Sequence, residues 1–264
     1  MRKKGKKMKK GGSERRRGIY ILPNIFTTLN IFCGFFAVIR SINGQFVAAA
    51  IAILVAAVFD TLDGKIARAT RTSSRFGIEY DSLSDLISFG LAPGLMVYLW
   101  ALRPLGRIGW LAAFLFMVCG ALRLARFNTQ TGSVGSEYFV GLPIPAAASM
   151  AAAAVLFCHR LKIDGSLYPV VLLVMLYGLS FLMVSTIRYF SFKNLEVFKS
   201  MHFNMLVAVV LVLIFIAAQP SIALFAFWFV YALSGPVDLL RKHHKPSPAV
   251  ADAEDPDNPE SLPL

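Results

Sequence analysis

FVAAAIAILVAAVFDTLDGKIARATRTSSRFGIEYDSLSDLISFGLAPGLMVYLW, Phe46 to Trp100, is two apolar runs joined by a charged middle. Each run approaches the twenty residues or so that a helix needs to cross a hydrocarbon layer of about 30 Å. Between them stand Asp60, Asp63, Asp81 and Asp85 together with Lys65, Arg68, Arg71 and Arg75. This arrangement predicts two membrane helices meeting in a polar hairpin, and it sets the question of what the charges do there.

The rest of the chain repeats the apolar pattern. Of 264 residues, 56% are hydrophobic and 16% charged, with a mean hydropathy of +0.62, well beyond the average soluble domain. Eight spans are expected, at about 20–42, 46–66, 80–101, 108–128, 141–158, 167–187, 203–218 and 221–239. The runs lack the ten-residue alternation of barrel strands, so the fold class is an all-α polytopic membrane bundle. Gly44, the Arg103 to Gly106 stretch and Pro220 mark its turns. Cys33, Cys119 and Cys158 are scattered and without metal-ligand spacing, which predicts small apolar packing residues and no disulfide framework.

Charge sets the topology. The net charge of +12 is concentrated in RKKGKKMKKGGSERRR ahead of the first span, so anionic lipid is the expected partner of this arm and nucleic acid is not. With the arm in the cytoplasm and spans alternating, 22 of the 27 Lys and Arg fall on the cytoplasmic side, which places both termini and the charged hairpin there. Three regions are expected: a basic arm at 1–18, an integral membrane domain at 19–242, and a tail at 243–264. The tail is rich in Pro, Asp and Glu, too polar to offset the entropy of ordering, and is expected to be disordered.

Asp60 and Asp63 are three residues apart and Asp81 and Asp85 four, so each pair shares one face of its helix. Four carboxylates facing each other across a hairpin repel unless protons, water or cations intervene. A hard divalent cation fits best, and oxygen-only ligands with no His or Cys nearby favour Mg²⁺ or Mn²⁺, with donors enough for two ions. Gly64 and Gly77 permit close approach of a ligand to the backbone, and Arg68 can fork onto a phosphate oxygen.

The residues read D-x-x-D-G-x-x-A-R, eight residues, then G-x-x-x-D-x-x-x-D, carried by Asp60, Asp63, Gly64, Ala67, Arg68, Gly77, Asp81 and Asp85. This pattern resembles, without gap or mismatch, the signature of the CDP-alcohol phosphatidyltransferases, membrane enzymes with a six-helix core. The resemblance implies that a CDP-linked lipid is attacked by an alcohol with loss of CMP, assisted by two metal ions. It makes Asp60, Asp63, Asp81 and Asp85 metal ligands and Asp85 also the base that takes the alcohol proton. Gly64, Arg68, Ser74 and Gly77 would meet the CDP part of the lipid, as would Asn24 and Thr27 from LPNIFTTLNIFCGF, which as plain sequence also reads as a helix-capping turn.

Polar clusters at 121–128, 138–148 and 185–193 resemble the bacterial integral-membrane branch of that family whose acceptor is L-serine, with CDP-diacylglycerol as donor. The resemblance implies residence in the bacterial inner membrane and a homodimer. A zwitterionic acceptor needs a cation for its carboxylate, and Arg123, Arg126, Asn128, Arg188 and Lys193 are the candidate acceptor-binding residues. Spacing alone leaves glycerol phosphate, inositol phosphate and choline open as acceptors. A membrane prenyltransferase also holds Mg-diphosphate on aspartates, but on two separated loops. A transporter explains intramembrane charge but not the Gly and Arg between the acids. The prolines of GLPIP are expected to shape the entry to the fifth helix, and Tyr189, Phe190 and Phe192 to form an interfacial aromatic belt.

Overall fold

A computed structural model describes residues 13–70, 74–130, 138–190 and 218–243. Seven helices are present among them: α1 (Ser13–Ile42), α2 (Phe46–Thr70), α3 (Arg75–Leu105), α4 (Arg107–Gln130), α5 (Ile144–Arg160), α6 (Pro169–Val184) and α7 (Pro220–His243). The expected span at 203–218, Lys193, most of the basic arm and nearly all of the tail lie outside the described residues. α1, α2, α3, α4 and α7 contain stretches long and apolar enough to cross a membrane, while α5 and α6 are shorter. The chain is an all-α integral membrane protein.

Small residues set the packing. In lipid, helices associate through close van der Waals contact and not through exclusion of water, so small side chains are favoured where backbones meet. α2 turns Ala49, Ala50, Ala52 and Ala56 inward. α5 buries an unbroken run from Ala146 to Val155 and occupies the centre of the bundle. The large side chains instead face outward, such as Phe32 on α1, Val174 and Phe181 on α6 and Val230 on α7, all more than half exposed, as lipid-facing residues should be. At Gly34 a Cβ would come within 2.7 Å of the Ser88 Cα, so α1 and α3 touch through their backbones at this level.

α3 is one long helix with two π-helical segments, Leu86–Leu91 and Tyr98–Leu102. Each lies just ahead of a proline, Pro93 and Pro104. Proline lacks the N–H that would bond the carbonyl four residues back and its ring crowds that carbonyl, and widening the preceding turn accommodates both effects. The first wide turn begins immediately after Asp85. Gly44 and Gly106 adopt positive φ values of 72° and 57° in the α1–α2 and α3–α4 turns, the positions where the sequence places breaks.

The connection into α5 carries a short strand, β1 (Tyr138–Val140), paired antiparallel with β2 (Arg188–Phe190) after α6. Pro143 then caps α5, and Pro145 lies within its first turn. Tyr189 departs from the expected interfacial belt. It is fully buried, and its hydroxyl donates to the Ala232 carbonyl at 3.0 Å. That carbonyl lies four residues before Pro236, inside α7, and so has no helical N–H to accept. Gly235 makes room for the ring, since a Cβ there would sit 2.8 Å from the Tyr189 hydroxyl. Burial, with the neighbouring Tyr231 second, raises the pKa of this phenol and keeps it a neutral donor. The side chain of Phe190 and all of Phe192 lie outside what the structure describes.

Candidate active site

The α2 helix runs past its apolar portion, carrying Asp60 about 21 Å and Asp63 about 26 Å along the axis from Phe46. Ser74 ends the connection to α3 by accepting the Gly77 N–H at 3.0 Å, an N-cap that sets where the next helix starts and hence the facing of Asp81 and Asp85. Carboxylate oxygens of Asp60, Asp63 and Asp81 lie within 4.8 Å of one another. The Asp85 carboxyl lies close enough to that of Asp60 to interact with it, so acids from two helices form one group. Asp63 and Asp85 are buried, at 4% and 7% exposure, and this is no solvated loop.

α1 holds the group in place. The Thr27 hydroxyl donates to Asp63 Oδ2 at 3.0 Å, and Asn30 Nδ2 donates to Asp85 Oδ1 at 3.3 Å. In return α3 grips the α1 backbone, with Ser84 Oγ donating to the Thr27 carbonyl at 3.2 Å and Ser88 Oγ to the Asn30 carbonyl at 2.9 Å. Asn30, Ser84 and Ser88 are absent from the residues the sequence marks as candidates. The available signal was periodicity: Asn24, Thr27, Asn30 and Gly34 recur at helical spacing and so share one face of α1.

The remaining candidates divide into groups. Arg68 lies over Gly64, its Nη1 3.5 Å from where a Cβ would be, and interacts with Asp63. Asn24 Oδ1 is 3.7 Å from the corresponding point on Gly77. Arg123 of α4 interacts with Asp85, Asp60 and Tyr231, and its Nε is buried without a partner. Asn128 Nδ2 donates to Ser82 Oγ at 2.9 Å, tying α4 to α3 one residue beyond Asp81. Arg126 points elsewhere and donates to the Val184 carbonyl at 3.4 Å, at the end of α6. The backbone of Arg188 pairs with Val140, and its side chain is not described.

Four acids on two antiparallel helices, with glycine and arginine between them, are the features that a family comparison can test. A model described as CDP-alcohol phosphatidyltransferase matches residues 20–184, which contain the whole group. The chain belongs to the CDP-alcohol phosphatidyltransferase family. A CDP-diacylglycerol--serine O-phosphatidyltransferase of Helicobacter pylori is 40% identical over 223 residues, covering 82% of this chain and 90% of that protein. One of the same name from Bacillus subtilis is 34% identical, over 66% of this chain and 92% of its own length. An archaetidylserine synthase of Methanothermobacter thermautotrophicus is 45% identical over 48% of this chain and 54% of its own.

CDP-alcohol phosphatidyltransferases are generally dependent on divalent metal, and the residues of this member fit one. The donors are all carboxylate oxygens, the choice of a hard cation. Asp81 Oδ1 is buried without a hydrogen-bond partner, an orphan that a cation within the group would satisfy. Asp60, Asp63, Asp81 and Asp85 could therefore hold the ion in this phosphatidyltransferase, with Thr27 and Asn30 fixing the ligands from behind, as outer partners of metal-binding carboxylates do.

Proposed function

We propose that the protein transfers the phosphatidyl group of CDP-diacylglycerol to the hydroxyl of L-serine, giving phosphatidylserine and CMP. The observation that carries this reading is the convergence of the α2 and α3 aspartates with Arg123 beside them. The relatives named for the same serine reaction support the choice of acceptor.

Gly64 and Gly77 let the pyrophosphate approach the backbone, Arg68 pairs with a phosphate oxygen, and Ser74, Asn24 and Thr27 lie along the nucleotide side. Asp60, Asp63, Asp81 and Asp85 would hold Mg²⁺ or Mn²⁺, two ions on four carboxylates, and the bound metal would supply positive charge to offset the pyrophosphate and the departing CMP. Asp85 accepts the serine hydroxyl proton. As the serine oxygen bonds to the phosphorus that carries diacylglycerol, the bond from that phosphorus to the bridging oxygen breaks, and its electron pair leaves with CMP. Arg123 meets the serine carboxylate, and Asn128, further along α4, borders the acceptor side.

A site at the end of the bundle leaves acyl chains in lipid and the nucleotide in water. We infer from the distribution of Lys and Arg that this end, and both termini, face the cytoplasm of a bacterial inner membrane, with the basic arm on anionic lipid. A homodimer is inferred by likeness to the family. The testing experiment is purified protein in detergent with CDP-diacylglycerol, Mn²⁺ or Mg²⁺, and a panel of serine, glycerol phosphate, inositol phosphate and choline. CMP release with serine alone is expected, and release with another alcohol but not serine refutes the reading.

A further inference from the structure

Among the described residues, four buried side-chain atoms lack a hydrogen-bond partner: Asn30 Oδ1, Asp81 Oδ1, Arg123 Nε and Ser149 Oγ. The metal group accounts for Asp81. Two of the others belong to residues that interact with Asp85, one on each of two helices that pack on α3. Asn30 is fully buried. Its amide N–H₂ donates to Asp85 Oδ1 at 3.3 Å, which turns the amide oxygen away from that carboxyl. The oxygen is left as an acceptor with no donor. Arg123 has the complementary feature, a buried N–H with no acceptor, on a guanidinium that interacts with Asp85 and Asp60.

Buried polar groups are almost always paired, and exceptions at a reaction centre point to a missing ligand. A hydroxyl held at Asp85 for attack would thus find an unused acceptor and an unused donor nearby. An alcohol bearing both an ammonium and a carboxylate on the adjacent carbon satisfies the two together. Glycerol phosphate and inositol phosphate offer Asn30 only a neutral hydroxyl in place of a charged and stronger ammonium donor, and the quaternary nitrogen of choline offers no N–H at all.

We propose that Asn30 is a specificity-determining residue, whose side-chain oxygen accepts a hydrogen bond from the ammonium of the acceptor amino acid while Arg123 Nε donates to its carboxylate. This inference rests on the serine reading above.

The test compares L-serine with 3-hydroxypropionate, the same skeleton without the amino group, as acceptors for purified full-length protein in detergent with CDP-diacylglycerol and Mn²⁺. Sites built around a hydrogen bond reject analogues that lack it by large factors. The parent is expected to favour serine by about 100-fold or more in kcat/KM. Asn30→Leu should reduce that ratio at least tenfold, mainly through the KM for serine, with the KM for CDP-diacylglycerol little changed. Asn30→Asp keeps an oxygen in place, so it should keep the preference even where its overall rate falls, and it provides the answer should the leucine variant fail to fold. If Asn30 merely holds Asp85, both acceptors slow together and the ratio stays, which overturns the inference. Loss of the preference in Asn30→Asp overturns it too. A parent that releases no CMP with serine overturns the serine reading and this inference with it, whereas an unchanged ratio in an active parent overturns the inference alone.

Discussion

Replacing Thr27 by valine exchanges a hydroxyl for a methyl of nearly the same size and removes the 3.0 Å bond to Asp63 Oδ2 while leaving the helix intact. A hydrogen bond to a charged group contributes about 1.5–3 kcal/mol. Thr27 is buried, at 3% exposure, so water does not readily take the place of the lost donor. At about 1.4 kcal/mol per factor of ten, the metal affinity of the site should fall by roughly 10- to 100-fold, the range seen when an outer partner of a metal ligand is removed. The assay is CMP release as a function of Mn²⁺ concentration. The half-saturating concentration should rise by that factor, and the rate at saturating metal should remain within about threefold of the parent, since Asp63 itself is untouched. Thr27→Ser should restore most of the affinity. An unchanged metal requirement, or a lower rate at every metal concentration with the same half-saturation, would refute the idea that α1 fixes the metal ligands.

Asp85→Asn should abolish turnover while part of the metal and nucleotide binding survives, whereas Asp60→Asn should weaken metal binding itself; calorimetry with Mn²⁺ and CDP separates the two, and parental activity in either removes its assigned role. Gly34→Ala forces a Cβ against the Ser88 backbone and should destabilise the bundle by about 1–3 kcal/mol, read as a lower midpoint in thermal unfolding in detergent. Tyr189→Phe leaves the Ala232 carbonyl buried and unpaired and should cost about 1–3 kcal/mol by the same assay, with no change in the KM for either substrate.

The convergence of the aspartates was legible because they are close in sequence: helical spacing puts Asp60 with Asp63 and Asp81 with Asp85, and a short connection must bring the two pairs face to face. The helices were legible from hydropathy, and Gly44 and Gly106 from turn chemistry. Partners drawn from distant helices were not. Asn30 reaches Asp85 across 55 positions of sequence, and nothing local distinguishes it from an asparagine capping a turn. The π turns of α3 follow from Pro93 and Pro104, but a proline in an apolar run predicts a kink or an end as readily as a widened turn. Tyr189 was misread because interfacial tyrosines are common, while the carbonyl it satisfies is freed by a proline on another helix.

The central claim is that aspartates from α2 and α3 bind the divalent ions that hold the nucleotide-linked lipid. Electron paramagnetic resonance of Mn²⁺ added to the purified protein tests it most directly, by counting bound ions in the parent and in a variant with Asp60 and Asp81 both changed to asparagine. Two tightly bound ions per chain in the parent, lost in the variant, are predicted. Equal binding in both proteins would contradict the account.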